Sequence, residues 1–350
     1  MNIYEQQEKN KRLTIFIFAV FFVFFILIGL GFDYFYLGTV SGAKPKYKWN
    51  ENGYYEVSGT SSQFFPLGTI LASGFALVMS FSGALSGHKM VLRSAMARRA
   101  VELSPKEKQF VNIVKEMSIA SGLPQPQAYI VPDSDLNAFA TGFSPENSYI
   151  AVTEGLLEKL NREELQAVVA HEMSHIRNYD IRVMTVAAAL VNAVSLISDW
   201  SVRSARYSSG RGYSSSSSRS GRGGGGILIL VWLIFVLVAP IISRILALAI
   251  SRQREYLADA SAAELTRNPL ALVSALEKIR MSVEPTYAVN NGIAHMCITD
   301  PRGSLIEERE GLVGDLFATH PPMEKRILAL KLMAYQMSGQ TRSQSLGGIA

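Results

Sequence analysis

The chain has 350 residues, 48% of them hydrophobic and 18% charged, with a mean hydropathy of +0.16. That is more apolar than a typical soluble protein, and the apolar residues gather in blocks near or above the ~20 residues that cross a hydrocarbon core, so a membrane protein is the first class to test. The single cysteine, Cys297, excludes an intramolecular disulfide and a cysteine-based zinc site, while the net charge of +5, with no nucleic-acid motif beside it, reads as cationic flanks of membrane spans and not as a nucleic-acid surface.

The first apolar block, Leu13 to Phe32, follows Lys9, Lys11 and Arg12. It is longer than the ~7–15 residues of a secretory core and the nearest small-residue cleavage candidate lies well beyond it, so it is expected to be a retained anchor. A second span is expected from Phe64 to Leu85, followed by Lys89, Arg93, Arg98 and Arg99, a cluster that marks a cytoplasmic end. Residues 1–86 then form an N-terminal membrane hairpin with spans at about 13–32 and 64–85, and Asp33 to Gln63 is a short external loop.

From Gly87 to Asp180 the composition turns soluble, and 87–180 is expected to be the first part of a compact domain. A charged helix falls around Ser104 to Ser121, and short strands at Ala128 to Val131, Ala138 to Thr141 and Tyr149 to Thr153. Asn161 with Glu164 three residues later is the pattern of a capping box and opens a further helix. Two more apolar blocks, Val183 to Ile197 and Ile227 to Ile250, fall within 181–250 and are expected either to cross the membrane or to form a shallow hairpin. The Ser/Gly/Arg-rich stretch 201–226 between them cannot bury a core and reads as a flexible loop. Helices are expected again over 251–335, the second part of the domain, with 336–350 as a C-terminal tail.

His171-Glu172-Met173-Ser174-His175 is an H-E-x-x-H motif on the helix that the capping box opens. Residues four apart share a helical face, so two imidazoles can converge on one metal while the glutamate beside them serves as general base toward a water. A catalytic zinc site needs a third protein ligand, and Glu255 is the candidate. It stands four residues before Asp259, so that one carboxylate can bind metal while the other orients a ligand histidine through its second ring nitrogen. The alternative for this pair is a solvated acidic face. Ligands to one ion must lie on one side of a bilayer, and both a hairpin and two spans between His175 and Glu255 satisfy that condition. Asp180, five residues beyond His175, either supports the site or only ends the polar link before the next apolar block; His88 and His295 carry no such context.

H-E-x-x-H followed by E-x-x-x-D after a hydrophobic hairpin resembles the HtpX-type membrane metalloproteases, relatives of the CAAX prenyl proteases in the gluzincin group. Leu136-Asn137-Ala138-Phe139-Ala140-Thr141-Gly142 resembles the family's edge strand beside the cleft, and Thr319-His320-Pro321-Pro322 with Arg326 resembles its C-terminal segment. The likeness runs from about Arg98 to Leu330. It implies an α+β, mainly helical fold, a multi-pass membrane protein with a zincin-like metalloprotease domain carrying a small β-sheet. It implies one Zn2+ per chain on His171, His175 and Glu255, Glu172 as catalytic base, and Asp259 as the carboxylate behind a ligand. Asn137 with its strand is expected to pair with substrate backbone, the alternative being a turn residue that opens the strand. His320 is expected to hydrogen-bond the oxyanion, or else to start a helix; Arg326 is expected at the substrate, or else in solvent or at a lipid headgroup.

The function this resemblance implies is hydrolysis of peptide bonds, in misfolded or damaged membrane proteins at the cytoplasmic face of the cell membrane. The expected partners are a protein or peptide substrate and membrane lipid, with no nucleic acid. A prenyl-peptide protease would share every ligand. A non-catalytic membrane scaffold or transporter is the rival from a different class; transport would need several ionisable groups within the spans, whereas the first two blocks hold none and Arg244 in the fourth stands alone.

Overall fold

A computed structural model of the chain describes residues 3–33, 44–49, 55–61, 66–101, 104–190, 252–282, 294–299 and 321–347. The chain divides into two compact units, one of Phe16–Phe81 with Ala193–Ile242, the other of Met1–Ile15, Ser82–Asn192 and Ser243–Ala350.

In the first unit, the apolar stretches expected to anchor the chain lie in helices α1 (Ile3–Phe32) and α2 (Leu67–Ser94), both long and apolar enough to cross a membrane. Phe25 contacts the rings of Phe21, Phe24 and Phe75, with centroids 4.8, 5.4 and 5.1 Å apart. At Gly29 a Cβ would stand 2.4 Å from Thr69 Cα, so only glycine permits this approach of the two backbones. Asp33 follows α1 and closes the start of α2, accepting from the backbone N–H of Gly68 at 2.7 Å and of Thr69 at 2.9 Å, where an anion also meets the positive end of the helix dipole. Between these helices the reading of a plain loop is incomplete, because Lys44–Trp49 (β1) and Tyr55–Ser61 (β2) form an antiparallel hairpin. Both strands alternate by residue type, Lys44, Lys46 and Lys48 with Pro45, Tyr47 and Trp49 in β1 and Tyr55 and Val57 with Glu56 and Ser58 in β2, a period-two signal that the reading as a loop passes over.

The second unit carries a four-stranded sheet of order β3-β4-β6-β5: Arg98–Arg99 (β3), Gln127–Val131 (β4), Ala138–Ser144 (β5) and Asn147–Thr153 (β6). Only β4 and β6 run parallel. The three longer strands fall where the sequence places them; β3 had read only as a charge cluster. The tight β5–β6 turn needs Gly142, at φ 144°, where a Cβ would come 2.3 Å from Asn147 O.

Helix α3 (Pro105–Ser121) is capped by Ser104 and stopped by Gly122 in the left-handed region. After the short α4 (Glu154–Lys159), α5 (Arg162–Arg177) starts with the expected capping box: Asn161 Oδ1 accepts from Glu164 N–H at 2.9 Å and Glu164 Oε2 from Asn161 N–H at 2.8 Å. From Ala167 to Ile176 every residue of α5 is buried, which suits a helix surrounded by the core. Phe110 and Ile113 of α3, Ile130 and Ile150 of the sheet, and Leu272 and Leu276 of the helix Pro269–Met281 all join Val168, Val169 and Met173 in that core.

Residues 180–190 are helical (α6), and Val183 to Leu190 are all buried. Gly83 and Gly87, one turn apart on α2, let α6 approach: a Cβ would lie 3.4 Å from Ala189 Cβ at Gly83 and 3.0 Å from Thr185 Cγ2 at Gly87. The rest of the third apolar block, the 201–226 loop and the fourth block lie outside the described residues. Three helices complete the described unit: α7 (Arg252–Thr266), α8 (Pro269–Met281) and α9 (Met323–Gly347).

Candidate metal centre

Helix α5 holds His171, Glu172 and His175 at its buried C-terminal half, and α7 brings Glu255 and Asp259 to the same place. The i, i+4 spacing aims both imidazoles at one point, with Nε2 atoms 3.3 Å apart. Glu255 Oε2 stands 3.7 Å from His171 Nε2, and Glu255 Oε1 stands 3.6 Å from His175 Nε2. The ligand atoms of all three residues lie within 4.8 Å of one another.

Each ring is held from behind by a carboxylate. His175 Nδ1 lies 3.0 Å from Asp180 Oδ2, and His171 Nδ1 lies 3.0 Å from Asp259 Oδ1, an ion-pair contact bent from the straight hydrogen-bond line. With the Nδ1 proton directed to a carboxylate, the Nε2 lone pair is left facing the centre.

Asp259 is in turn gripped by Arg326, whose Nε and Nη2 each donate to a different carboxylate oxygen at 2.8 Å. Arg326 is 0% exposed and its Nη1 donates to Ile298 O at 3.0 Å and stands 3.7 Å from Glu255 Oε2. Burial alone would raise the Asp259 pKa, but the Arg326 charge and hydrogen bonds, with His171, hold it down at about 2. Burial likewise opposes a charge on His175, yet the Asp180 hydrogen bond and the Glu255, Asp180 and Glu172 carboxylates raise it to about 9. Glu172 is pushed up by its burial, which the neighbouring imidazoles offset only in part.

These residues fit a divalent cation. Four buried carboxylates, Glu172, Asp180, Glu255 and Asp259, outnumber the two buried guanidiniums, Arg254 and Arg326, so that a protonated His175 or a bound cation is needed to offset them. Two Nε2 lone pairs facing at 3.3 Å repel unless a cation or proton lies between them. Glu172 Oε2 is buried with no hydrogen-bond partner among the described residues, an acceptor left for something the site binds.

Residues 104–334 match Peptidase family M48. The chain belongs to that family. A protease HtpX homolog of Streptococcus uberis is 37% identical over 332 residues, covering 95% of this chain and 100% of that protein. The homolog of Streptococcus pyogenes serotype M49 is 38% identical over the same extent. The crystal structure of S. mikatae Ste24p aligns with a TM-score of 0.46 at 19% identity, over 76% of this chain and 58% of that one. As an M48 peptidase the chain is a metallopeptidase, and with α1 and α2 it is membrane-bound.

The M48 match spans every member of the cluster and also the two residues expected at the substrate. Asn137 stands immediately before β5 and is buried; its N–H donates to Thr153 Oγ1 at 3.0 Å and its Nδ2 to Thr299 O at 3.3 Å. The outer side of β5 is paired in part by the chain itself, since Ile298 N–H donates to Ala138 O at 2.9 Å and Phe139 bridges Cys297. Arg326, expected at the substrate or in solvent, is interior and bound to Asp259. His320 lies outside the described residues. His88 stacks on Tyr149 at 4.5 Å and His295 Nε2 lies 3.2 Å from Met184 O; neither belongs to the His/Glu cluster.

Asp180, left open by the sequence, stands against a ring nitrogen; its offset of five from His175 was the available signal. Arg254, 3.7 Å from Asp180, had no signal beyond its place next to Glu255.

Proposed function

We propose that this M48 peptidase is a zinc endopeptidase of one ion per chain, held by His171, His175 and Glu255, with Glu172 as its general base. The observation that carries the reading is the convergence of two Nε2 atoms and one carboxylate, with both Nδ1 atoms set against further carboxylates. Three protein ligands leave a fourth position open, as a catalytic zinc requires. When bound, zinc supplies a Lewis acid that acidifies water and polarises a peptide carbonyl.

Glu172 takes the proton of the attacking water at a carboxylate oxygen and delivers it to the leaving amine. Its burial raises its pKa and so suits it to both steps near neutral pH. Asp259 and Asp180 fix the two imidazoles, and Arg326 keeps Asp259 ionised and in place, a positioning role in place of contact with substrate. Asn137 braces the start of β5 against Thr299, leaving backbone pairing with substrate to the strand itself. His320 is retained as the proposed donor to the oxyanion.

The proposed topology is multi-pass with the catalytic unit in the cytoplasm, its domains divided as the sequence suggests at 1–86, 87–180, 181–250 and 251–335. The proposed substrates are misfolded or damaged membrane proteins, and lipid is the surrounding partner.

Glu172→Gln tests the chemistry. The full chain in detergent is expected to retain stoichiometric zinc by metal analysis while its cleavage of an unfolded membrane protein falls by about 10²–10⁴-fold. Unchanged turnover would remove Glu172 from the mechanism.

A further inference from the structure

Helix α1 begins with a polar stripe. Gln6, Asn10 and Thr14 are 3%, 1% and 1% exposed, at the base of a helix that is otherwise a membrane anchor. Burying an amide is costly unless its hydrogens are satisfied. Thr14 turns back on its own helix and donates to Asn10 O at 2.9 Å. Asn10 reaches outward: its Nδ2 donates to Asn178 O at 2.8 Å and to Asp180 Oδ1 at 2.7 Å. Asp180 uses its other oxygen, Oδ2, on His175 Nδ1 at 3.0 Å. A continuous chain of hydrogen bonds therefore runs from the first membrane helix to a ring of the metal cluster, and every atom of it lies within one compact unit.

The geometry points to Asn10 as a positioning residue of the metal centre: its amide pins the Asp180 carboxylate in the orientation that fixes His175, so that the membrane anchor is itself a part of the site. This inference rests on the metal reading above. A carboxylate held at one oxygen by a single ring N–H can rotate about its Cβ–Cγ bond, and the second oxygen must be engaged to stop it. Arg254 Nη1, at 3.7 Å from the same Oδ1, gives charge at that side but not a hydrogen-bond distance, so Asn10 supplies the directional contact. Partners placed behind a ligand histidine commonly change metal affinity by about 10–100-fold when removed, and one bond further out the lower end applies.

Gln7 is the built-in control. It lies on the same turn of α1 and donates to Arg177 O at 2.8 Å, so it docks the helix on the same turn of chain without reaching Asp180. The experiment measures zinc affinity of the full-length, detergent-solubilised chain by competition with a chelator for the parent, N10L, Q7L, D180N and the N10L/D180N pair. N10L is expected to bind zinc about tenfold more weakly, Q7L as tightly as the parent, and the double variant no more weakly than D180N alone, because Asn10 acts through Asp180. Should N10L fail to fold, N10A carries the same comparison. Parent-like affinity in the Asn10 variant, an equal loss in Q7L, or losses at Asn10 and Asp180 that simply add would each overturn the proposal. A parent chain that binds no zinc would overturn the metal reading itself, a result distinct from all three.

Discussion

His175 and Asp259 show how one buried cluster shifts two neighbouring groups in opposite directions. His175 is raised from 6.5 to about 9, so in the metal-free protein its protonated ring adds stability that is complete below pH 6.5 and is lost as pH rises through about 9. Asp259 is depressed from 3.8 to about 2, so its contribution is complete above pH 3.8 and is lost as pH falls through about 2. The chelator-treated chain should therefore be most stable between these limits, and its unfolding temperature should fall between pH 6.5 and pH 9, by the equivalent of about 3 kcal/mol at most. With zinc present that alkaline loss should vanish, since a cation then takes the place of the proton. Thermal unfolding across that range, with and without zinc, checks it; a metal-free chain that gains stability toward pH 9 would contradict the charge assignment of His175. The same cluster explains why Arg326 is interior: its two bonds to Asp259 satisfy a charge that could not otherwise be buried.

Helices carry these residues to their places, and α5 is tied at its start as well as packed along its length. Glu164 closes the capping box and also accepts from Ser274 Oγ at 2.6 Å and Lys278 Nζ at 2.7 Å, so one carboxylate joins α5 to α8. The Lys278 side chain is 41% exposed and its ion pair adds little; the cap and the Ser274 bond dominate. Asn161→Ala should cost about 1 kcal/mol, the ordinary value of a cap, and Glu164→Ala about 2–3 kcal/mol because it removes the cap's partner and the α8 contact together. Chemical denaturation of the two variants compares them, and equal losses would mean that the contact to α8 adds nothing. The capping box was legible because it is a local pattern of four residues. The β1–β2 hairpin reads as a loop, although both strands alternate in period two, because Pro45 and three lysines in β1 and Gly59 in β2 are residues of low strand propensity.

Across the whole molecule, the proposed topology has a direct consequence for labelling. Gln7 and Asn10 touch Arg177 to Asp180, and if α1 and α2 each cross the bilayer as proposed, the β1–β2 hairpin that joins them is expected on the face opposite the catalytic unit. Cys297 is buried, so single cysteines can be read against a quiet background. In sealed vesicles, a membrane-impermeant maleimide should label Lys115→Cys from the cytoplasmic side only and Trp49→Cys from the opposite side only; labelling of both from one side would sink the two-span arrangement. The sequence by itself determined the anchors, the three longer strands, the capped helix and the H-E-x-x-H face, because each depends on residues within a turn or a strand of one another. The sequence also nominates Glu255 as the third ligand and Asp259 as the carboxylate behind a ring; only the tertiary structure decided that Asp259 backs His171, that Asp180 stands behind His175, and that Arg326 is interior. Asp259 meets His171 from 88 positions away and Arg326 meets Asp259 from 67, and even Asp180, five positions from His175, stands beyond the end of α5, so no local periodicity records where these segments meet.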